Sequence, residues 1–413
     1  MQFKRYLFAL VGAASLLLAT GGVSANAAAP APKVITVGTL YAGSGSYATS
    51  SLPELAGLKF WISQVNKQGG VFVKAYGKKI PIKLVDYNDQ SDPNTATTLY
   101  NQLVTQNKVN FLVADFGSVL TAAAVTVATE HHVVLWDPTG TGSSFFTPPS
   151  PYIVLTSLPT SAVWPDSLAK YLVSLGKKRI AIVYGTNDFD GAQDATLVAR
   201  LHAAGITPVY NQGVDTATTN YTVIIHQMAQ QKPDAVLEFG YPTNDIPFFQ
   251  NLTASGEHFP FVFTVFPGQQ LALLTQNVGA KALSYTYTYP TPPLLAYNKG
   301  VNYGLTLNAF AKAIKPQIGG APNFLDIAGY QVGLVIQKTL ETATSLNQLA
   351  LRKAAGQINF FSLDGQYKLA GTGAQLGELL PVAQLQPTKS GNNPVIVYPQ
   401  AVATGKALPT PTH

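Results

Sequence analysis

The chain contains no cysteine. That excludes disulfides, thiol catalysis and cysteine metal sites, and leaves no acceptor for a lipid anchor at an N-terminal cleavage site. Charge is also scarce: Asp, Glu, Lys and Arg make up 11% of the residues, against a usual ~25%. Thr, Gln, Asn, Ser and Tyr supply the polar surface instead. Such a surface depends little on carboxylate ionisation and suits an acidic exterior. The formal charge is +6, two units less once Lys4 and Arg5 leave, with no basic run beyond Lys177-Lys-Arg179. Nucleic acid is therefore not an expected partner. The six histidines show neither H-x-x-x-H nor H-E-x-x-H spacing, so no metal or other cofactor is expected. His131-His132 reads as a helix end, where histidine favours the C-terminal dipole. No G-x-S-x-G elbow is present, which removes the common α/β-hydrolase nucleophile.

Residues 1–27 read as a signal segment: Lys4 and Arg5, an apolar stretch from Leu7 to Ala19, then the A-x-A site Ala25-Asn-Ala27. No later segment has 18 uninterrupted apolar residues, so a soluble exported chain is expected, in the periplasm or cell exterior. A Pro/Ala leader covers 28–33. Strands and helices then alternate, the pattern of parallel α/β sheets. Strands are expected at 34–40, 80–87, 110–114 and 133–136, with helices at 54–66, 94–106 and 121–130. A second series begins after Leu155-Thr-Ser-Leu-Pro159 and echoes the first. A Tyr/Thr strand is expected at 283–289 and long helices at 296–315 and 323–344. The C-terminus shows turns, a strand at 395–398, and a disordered tail from 406.

Several motifs sit at strand ends. Gly43-Ser-Gly45-Ser-Tyr-Ala48 fits G-x-G-x-x-A, but the acidic residue expected about 20 residues on is missing. A ligand-approach loop or a plain βα turn are the remaining readings. Asp115-Phe-Gly-Ser118 and Asp137-Pro-Thr139-Gly-Thr141 lead out of consecutive buried strands. Each loop alone could simply cap a helix. Side by side at carboxyl ends of one parallel sheet, they suggest a polar cradle. Asp188 and Asp190, two apart in a βα loop, read as turn and cap residues or, less simply, as a hydrolase pair.

Val34-Ile-Thr-Val-Gly38, Ala42-Gly-Ser-Gly-Ser-Tyr47, Asn66-x-x-Gly69-Gly70 and Asp89-Gln-Ser-Asp-Pro93, followed by Ser118-x-x-Thr121 and Pro138-x-x-Thr141, carry a resemblance. In order and spacing they resemble the branched-chain amino acid type (Leu/Ile/Val-binding-protein-like) of periplasmic solute-binding protein of ABC transporters. The resemblance covers nearly the whole chain after the leader and is weakest beyond residue 270. It implies an α/β fold of two doubly wound parallel-sheet lobes joined by a three-crossover hinge, with lobe 1 at 34–156 and 285–370 and lobe 2 at 157–284 and 371–405. It implies a non-enzymatic, monomeric receptor that closes on a small molecule and docks on a membrane permease. The first lobe's matching residues are Tyr47, Ser118, Thr139 and Thr141; the second lobe's aromatics match Phe189, Phe239 or Tyr241. One departure stands out. Amino-acid-binding members present an acidic residue to the ligand's ammonium, and the corresponding stretch here, Thr264-Val-Phe-Pro-Gly-Gln-Gln270, has none. Asp188 or Asp245 could substitute. Otherwise an amide or a simple carboxylate fits better than an α-amino acid. A sensor module for a signalling partner and a secreted hydrolase are the alternatives.

Overall fold

A computed structural model of the chain describes residues 30–147, 150–297, 299–378 and 380–411. The expected signal segment lies outside the described residues. From Lys33 onward the chain forms one unit.

The first half runs β1 (Ile35–Tyr41), α1 (Ala48–Lys67), a hairpin of β2 (Val71–Val73) and β3 (Lys78–Ile80), β4 (Ile82–Asn88), α2 (Pro93–Thr105), β5 (Phe111–Val113), α3 (Gly117–Glu130), β6 (Leu135–Asp137) and β7 (Ile153–Leu155). Its five-stranded sheet is parallel, in the order β4-β1-β5-β6-β7. Helices cover the sheet, so β5, β6 and β7 are buried at every position. Local chemistry sets the boundaries. Asp92 caps α2, accepting from Thr95 N at 2.6 Å, and Pro93 opens the helix. Asn66 bonds both backbone groups of Ile82, at 2.8 and 2.9 Å, tying the end of α1 to β4.

The second half runs α4 (Pro165–Ser174), β8 (Ile180–Gly185), α5 (Asp188–Ala203), β9 (Tyr210–Val214), α6 (Thr222–Gln230), β10 (Ala235–Phe239), α7 (Pro242–Ser255), β11 (Val262–Phe263), α8 (Leu271–Leu283) and β12 (Tyr287–Thr288). Its parallel strands lie in the order β9-β8-β10-β11-β12. Numbered by appearance, both sheets read 2-1-3-4-5, a doubly wound order with its crevice at the carboxyl ends. The chain then returns to the first lobe as α9 (Leu307–Ile318), α10 (Phe324–Thr342), α11 (Gln348–Ala355) and a hairpin of β13 (Asn359–Ser362) and β14 (Gly365–Lys368). Here α10 packs on α1 almost backbone to backbone: a Cβ on Gly329 would lie 1.9 Å from the Glu54 carbonyl oxygen. Finally β15 (Val382–Thr388) and β16 (Gly391–Tyr398) add antiparallel to β12, completing a seven-stranded second sheet. The chain thus crosses between the lobes three times.

Several expectations change. The second crossing, expected near Tyr285, comes after β12, because Tyr287–Thr288 stays in the second sheet. The alternating Tyr/Thr strand shrinks to those two residues: α8 runs through Leu283, and Tyr285 takes a positive φ of 66° that breaks the pleat. The helix expected at 296–315 begins only at Leu307, capped by Thr306, after Gly300 and Gly304 adopt positive φ. Lobe 1 extends past residue 370, since Gly373 O accepts from Leu155 N at 2.9 Å. The tail from 406 is not loose over its described part. Gln384 bonds both backbone groups of Leu408 (2.9 and 2.7 Å), Gln386 donates to Lys406 O (2.7 Å), and Thr410 donates to Pro260 O (3.0 Å).

Candidate ligand-binding site

The first lobe's wall is built from the loops after β5 and β6. Asp115 turns the chain after β5, its carboxyl accepting from Ser51 Oγ (2.5 Å) and Phe116 N (2.7 Å). Gly117 then starts α3 at φ 76°, and a Cβ there would meet the Tyr241 ring at 3.1 Å. Asp137 holds the next loop by accepting from Gly140 N at 2.6 Å. Thr139 Oγ1 accepts from Gly117 N (3.0 Å) and donates to Glu54 Oε2 (2.7 Å), lacing the two loops to α1. Ser118 Oγ accepts from Gly142 N at 2.8 Å. The Thr141 backbone carbonyl takes both the N–H and the hydroxyl of Ser161.

Carboxyls form the backing of this wall. Burial lifts Glu54 and Asp115 well above the usual carboxylate range, and Asp137 to about 8. Burial raises Asp89 too. Asp89 Oδ2 and Asp115 Oδ2 each lack a donor, and the Asp89 charge adds to the rise at Asp115.

The second lobe's wall is aromatic. Asn187 caps α5, accepting from Phe189 N (3.0 Å) and Asp190 N (3.1 Å), which sets Phe189 at the first turn. Tyr241 stands at the start of α7, just beyond β10, and its hydroxyl accepts from Ser118 N of the first lobe at 3.0 Å. Phe266 comes after β11, its N–H donating to Asp245 Oδ2 at 2.8 Å. Ring centroids lie 5.1 Å apart for Phe189–Tyr241 and Trp164–Phe189, 5.3 Å for Tyr47–Tyr241 and 5.9 Å for Tyr241–Phe266. A second set of carboxyls, Asp190, Glu238 and Asp245, backs this wall, each raised chiefly by burial, Asp245 to about 6.

Between the walls lies a pocket with about 270 Å³ of atom-free space, part of it open to solvent. Thr139, Thr141, Phe189 and Tyr241 line it, together with Phe116, Gly117, Leu158, Trp164, Phe266, Gln269 and Phe324. The other three expected residues do not. Ser118 is engaged with Gly142 and Tyr241. Tyr47 packs against Tyr241 and Phe116. Phe239 lies inside β10, fully buried against Phe263, as core. Trp164, Phe266, Phe324 and Gln269 were not identified from sequence. Only Phe266 and Gln269 had a signal, since they belong to the stretch singled out for its missing acid. The candidate substitutes for that acid point elsewhere. Asp188 spans the lobes, accepting from Ser144 N (3.0 Å) and Ser144 Oγ (2.7 Å). Asp245 accepts from Phe266 N through Oδ2 and does not line the pocket. Asp190 bonds Asn187 Nδ2 at 2.6 Å, so it and Asp188 form no catalytic pair. The early Gly-rich loop is a turn pinned to its neighbour, with Gly43 N donating to Asn88 Oδ1 (2.8 Å) and Ser91 Oγ donating to Ser44 O (2.7 Å).

Residues 34–392 match the family model described as periplasmic binding protein. The chain belongs to that family. This periplasmic binding protein is of the branched-chain amino acid type, a family of binders and not of enzymes. Leu/Ile/Val-binding protein homolog 7 of Brucella abortus (strain 2308) is 23% identical over 346 residues, 80% of this chain and 83% of the relative. Homolog 8 of the same strain is 24% identical, but the match spans only 54% of this chain and 55% of that relative. Among solved structures, the branched-chain amino acid transporter substrate-binding protein LivJ from Streptococcus pneumoniae, in complex with isoleucine, superposes with a TM-score of 0.73 at 19% identity, over 89% of this chain and 100% of the other. A solute-binding protein of an ABC transporter from R. palustris, in complex with benzoate, gives 0.71 at 18%, over 89% and 99%. One from Rhodopseudomonas palustris BisB5, in complex with 3,4-dihydroxybenzoic acid, gives 0.74 at 20%, over 91% and 98%. These likenesses establish the type I periplasmic binding fold. Among the described residues no helix is long and apolar enough to cross a membrane.

Proposed function

We propose that this periplasmic binding protein is the exported, monomeric receptor of an ABC importer, and that it captures a small organic solute lacking an ammonium group between its lobes. The observation that carries this reading is the cavity itself. It lies at the carboxyl ends of two doubly wound sheets, and no charged side chain lines it. An ammonium buried there would be left without a carboxylate partner, a cost of several kcal/mol. Amides and carboxylates without an amino group avoid that cost.

The same geometry supports a capture cycle. The lobes are clasped by Asp188 on Ser144 and by Gln270, whose side chain accepts from Ser50 Oγ (2.7 Å) and donates to Thr49 O (2.9 Å). A ligand held by both walls would shift the population toward this closed form. That form would be the one presented to a membrane permease.

A thermal-shift screen on protein refolded free of carried ligand tests the reading. The panel holds α-amino acids, their amides, and carboxylates lacking the amino group. A ligand at ~100 times its dissociation constant adds ~2.7 kcal/mol, an easily seen shift. Amides or simple carboxylates are expected to raise the melting temperature. A shift confined to α-amino acids would show that the ammonium is accommodated and the reading wrong.

A further inference from the structure

At the start of α3 two main-chain amides are already engaged. Gly117 N donates to Thr139 Oγ1 and Ser118 N to the Tyr241 hydroxyl, both at 3.0 Å. Ser118 Oγ is taken by Gly142 N. Two other polar atoms on the cavity wall have no hydrogen-bond partner among the described residues: Thr141 Oγ1 and Gln269 Nε2. Their side chains belong to residues only 1% and 4% exposed. Buried polar groups are as a rule satisfied, and leaving one unmet is unfavourable. Two such atoms on one aromatic pocket are both available to a bound partner.

The two come from opposite lobes. Thr141 lies beyond β6, and Gln269 lies in the turn after β11. The main chain of Gln269 is fixed: its N–H donates to Phe266 O (2.9 Å), and its carbonyl accepts from Phe324 N of α10 (3.3 Å). An amide N–H₂ offers donors only, and a hydroxyl can donate as well. Both suit an oxygen acceptor. Around them stand Phe116, Trp164, Phe189, Phe266 and Phe324, which suit a flat apolar body.

We infer that Gln269 and Thr141, one from each lobe, read a carbonyl-type oxygen on a small aromatic ligand, while in this closed form the Tyr241 hydroxyl fills the amide position at the start of α3. The inference rests on the cleft being the ligand site. It makes Gln269 the specificity residue of the second lobe. Carboxamide and carboxylate both present such a carbonyl-type oxygen. Because the two readers belong to different lobes, recognition and closure use the same bonds.

Titration calorimetry on the ligand-free protein, with benzamide, benzoate and L-phenylalanine as probes, tests this. Benzamide or benzoate is expected to bind, and L-phenylalanine to bind at least tenfold more weakly than the better of the two. Gln269→Leu should weaken the bound probe at least tenfold and Thr141→Val three- to tenfold, with circular dichroism confirming that each variant is folded. Phe189→Ala serves as the control for the cleft. If it abolishes binding while Gln269→Leu stays within twofold of the parent, the cleft reading stands and this inference fails. If Phe189→Ala also binds as the parent does, the cleft reading itself has failed. Tighter binding of L-phenylalanine than of both other probes, or no binding of either, overturns the inference. The wider solute panel then decides separately whether the cleft binds something else.

Discussion

The two walls of the cleft stand on sheets of the same strand order, yet they are made differently. The first is a lattice of main-chain amides and hydroxyls, with Thr139, Ser118 and Asp137 each tied to a named partner. The second is a set of rings that touch edge to face or at a tilt, centred on Tyr241. The polar wall is fixed by directional bonds and has little freedom to adapt. The aromatic wall gains its energy from area and tolerates different ligand shapes. Behind both walls the backing is alike: carboxyls buried without a cation. Ten of the chain's 20 acidic residues are buried. The ion pairs found among the described residues, Lys59–Asp86, Arg200–Asp166, His226–Glu257 and Lys338–Glu341, use none of them.

That shared backing yields the largest expected effect. Unfolded carboxyls titrate near 4. Burial raises all ten, with Asp245, Asp194 and Asp326 at about 6 and Asp137 at about 8. Between the unfolded and folded values the native chain holds the extra protons. Its stability is therefore full below the unfolded value and is lost as pH rises through the folded ones. Asp137 alone corresponds to roughly 5 kcal/mol by pH 8. The urea midpoint should fall steadily from pH 5 to pH 8.5; a flat or rising profile would show that these groups are ionised in the native state. Asp137→Asn isolates one such group within the first wall. The amide keeps an acceptor for Gly140 N, so the variant should lie within about 1 kcal/mol of the parent at pH 5. At pH 8 it should be the more stable of the two in the same urea titration.

Smaller effects separate the walls. Tyr241→Phe frees Ser118 N at a helix start, a position that favours anions. It should raise the affinity for benzoate relative to benzamide about tenfold; an unchanged ratio would mean that the hydroxyl does not govern that position. Asp188→Ala removes a bond between the walls and touches neither the cavity nor the core. Affinity should drop three- to fivefold, read by calorimetry, with the melting temperature of the ligand-free protein nearly unchanged. A larger loss would make Asp188 a ligand contact after all.

Most of the polar wall was legible in the sequence, and little of the aromatic one. Asp115-Phe-Gly-Ser118 and Asp137-Pro-Thr139-Gly-Thr141 announce themselves because capping, tight turns and strand ends are local events. An aromatic wall is assembled from distant segments, and each ring alone looks like core. Phe239 and Tyr241 illustrate this: two residues apart, one is inside β10 and the other just past its end, and composition does not separate them. Trp164 and Phe324 had no local cue at all. Gln269 is obscured for a different reason. Its stretch stands out by the acid it lacks, and a neutral amide beside that gap carries no pattern of its own. The fold's alternation was legible up to β11. Beyond it, Tyr285 with its positive φ and the glycines at 300 and 304 interrupt patterns that would otherwise run on.

The buried acids also change how the molecule behaves in an electric field. Near pH 5, with nine of these carboxyls kept largely neutral inside, 26 basic residues face about 11 ionised acidic ones instead of 20, and the formal charge of the whole chain moves from +6 to about +15, histidines aside. Folded and unfolded chains then differ in mobility far more than in size. The native protein should run toward the cathode much faster than its sequence suggests, and should adsorb to anionic surfaces such as phosphate-bearing envelope polymers. Unfolding in urea at the same pH would release that extra positive charge as protons into the solvent.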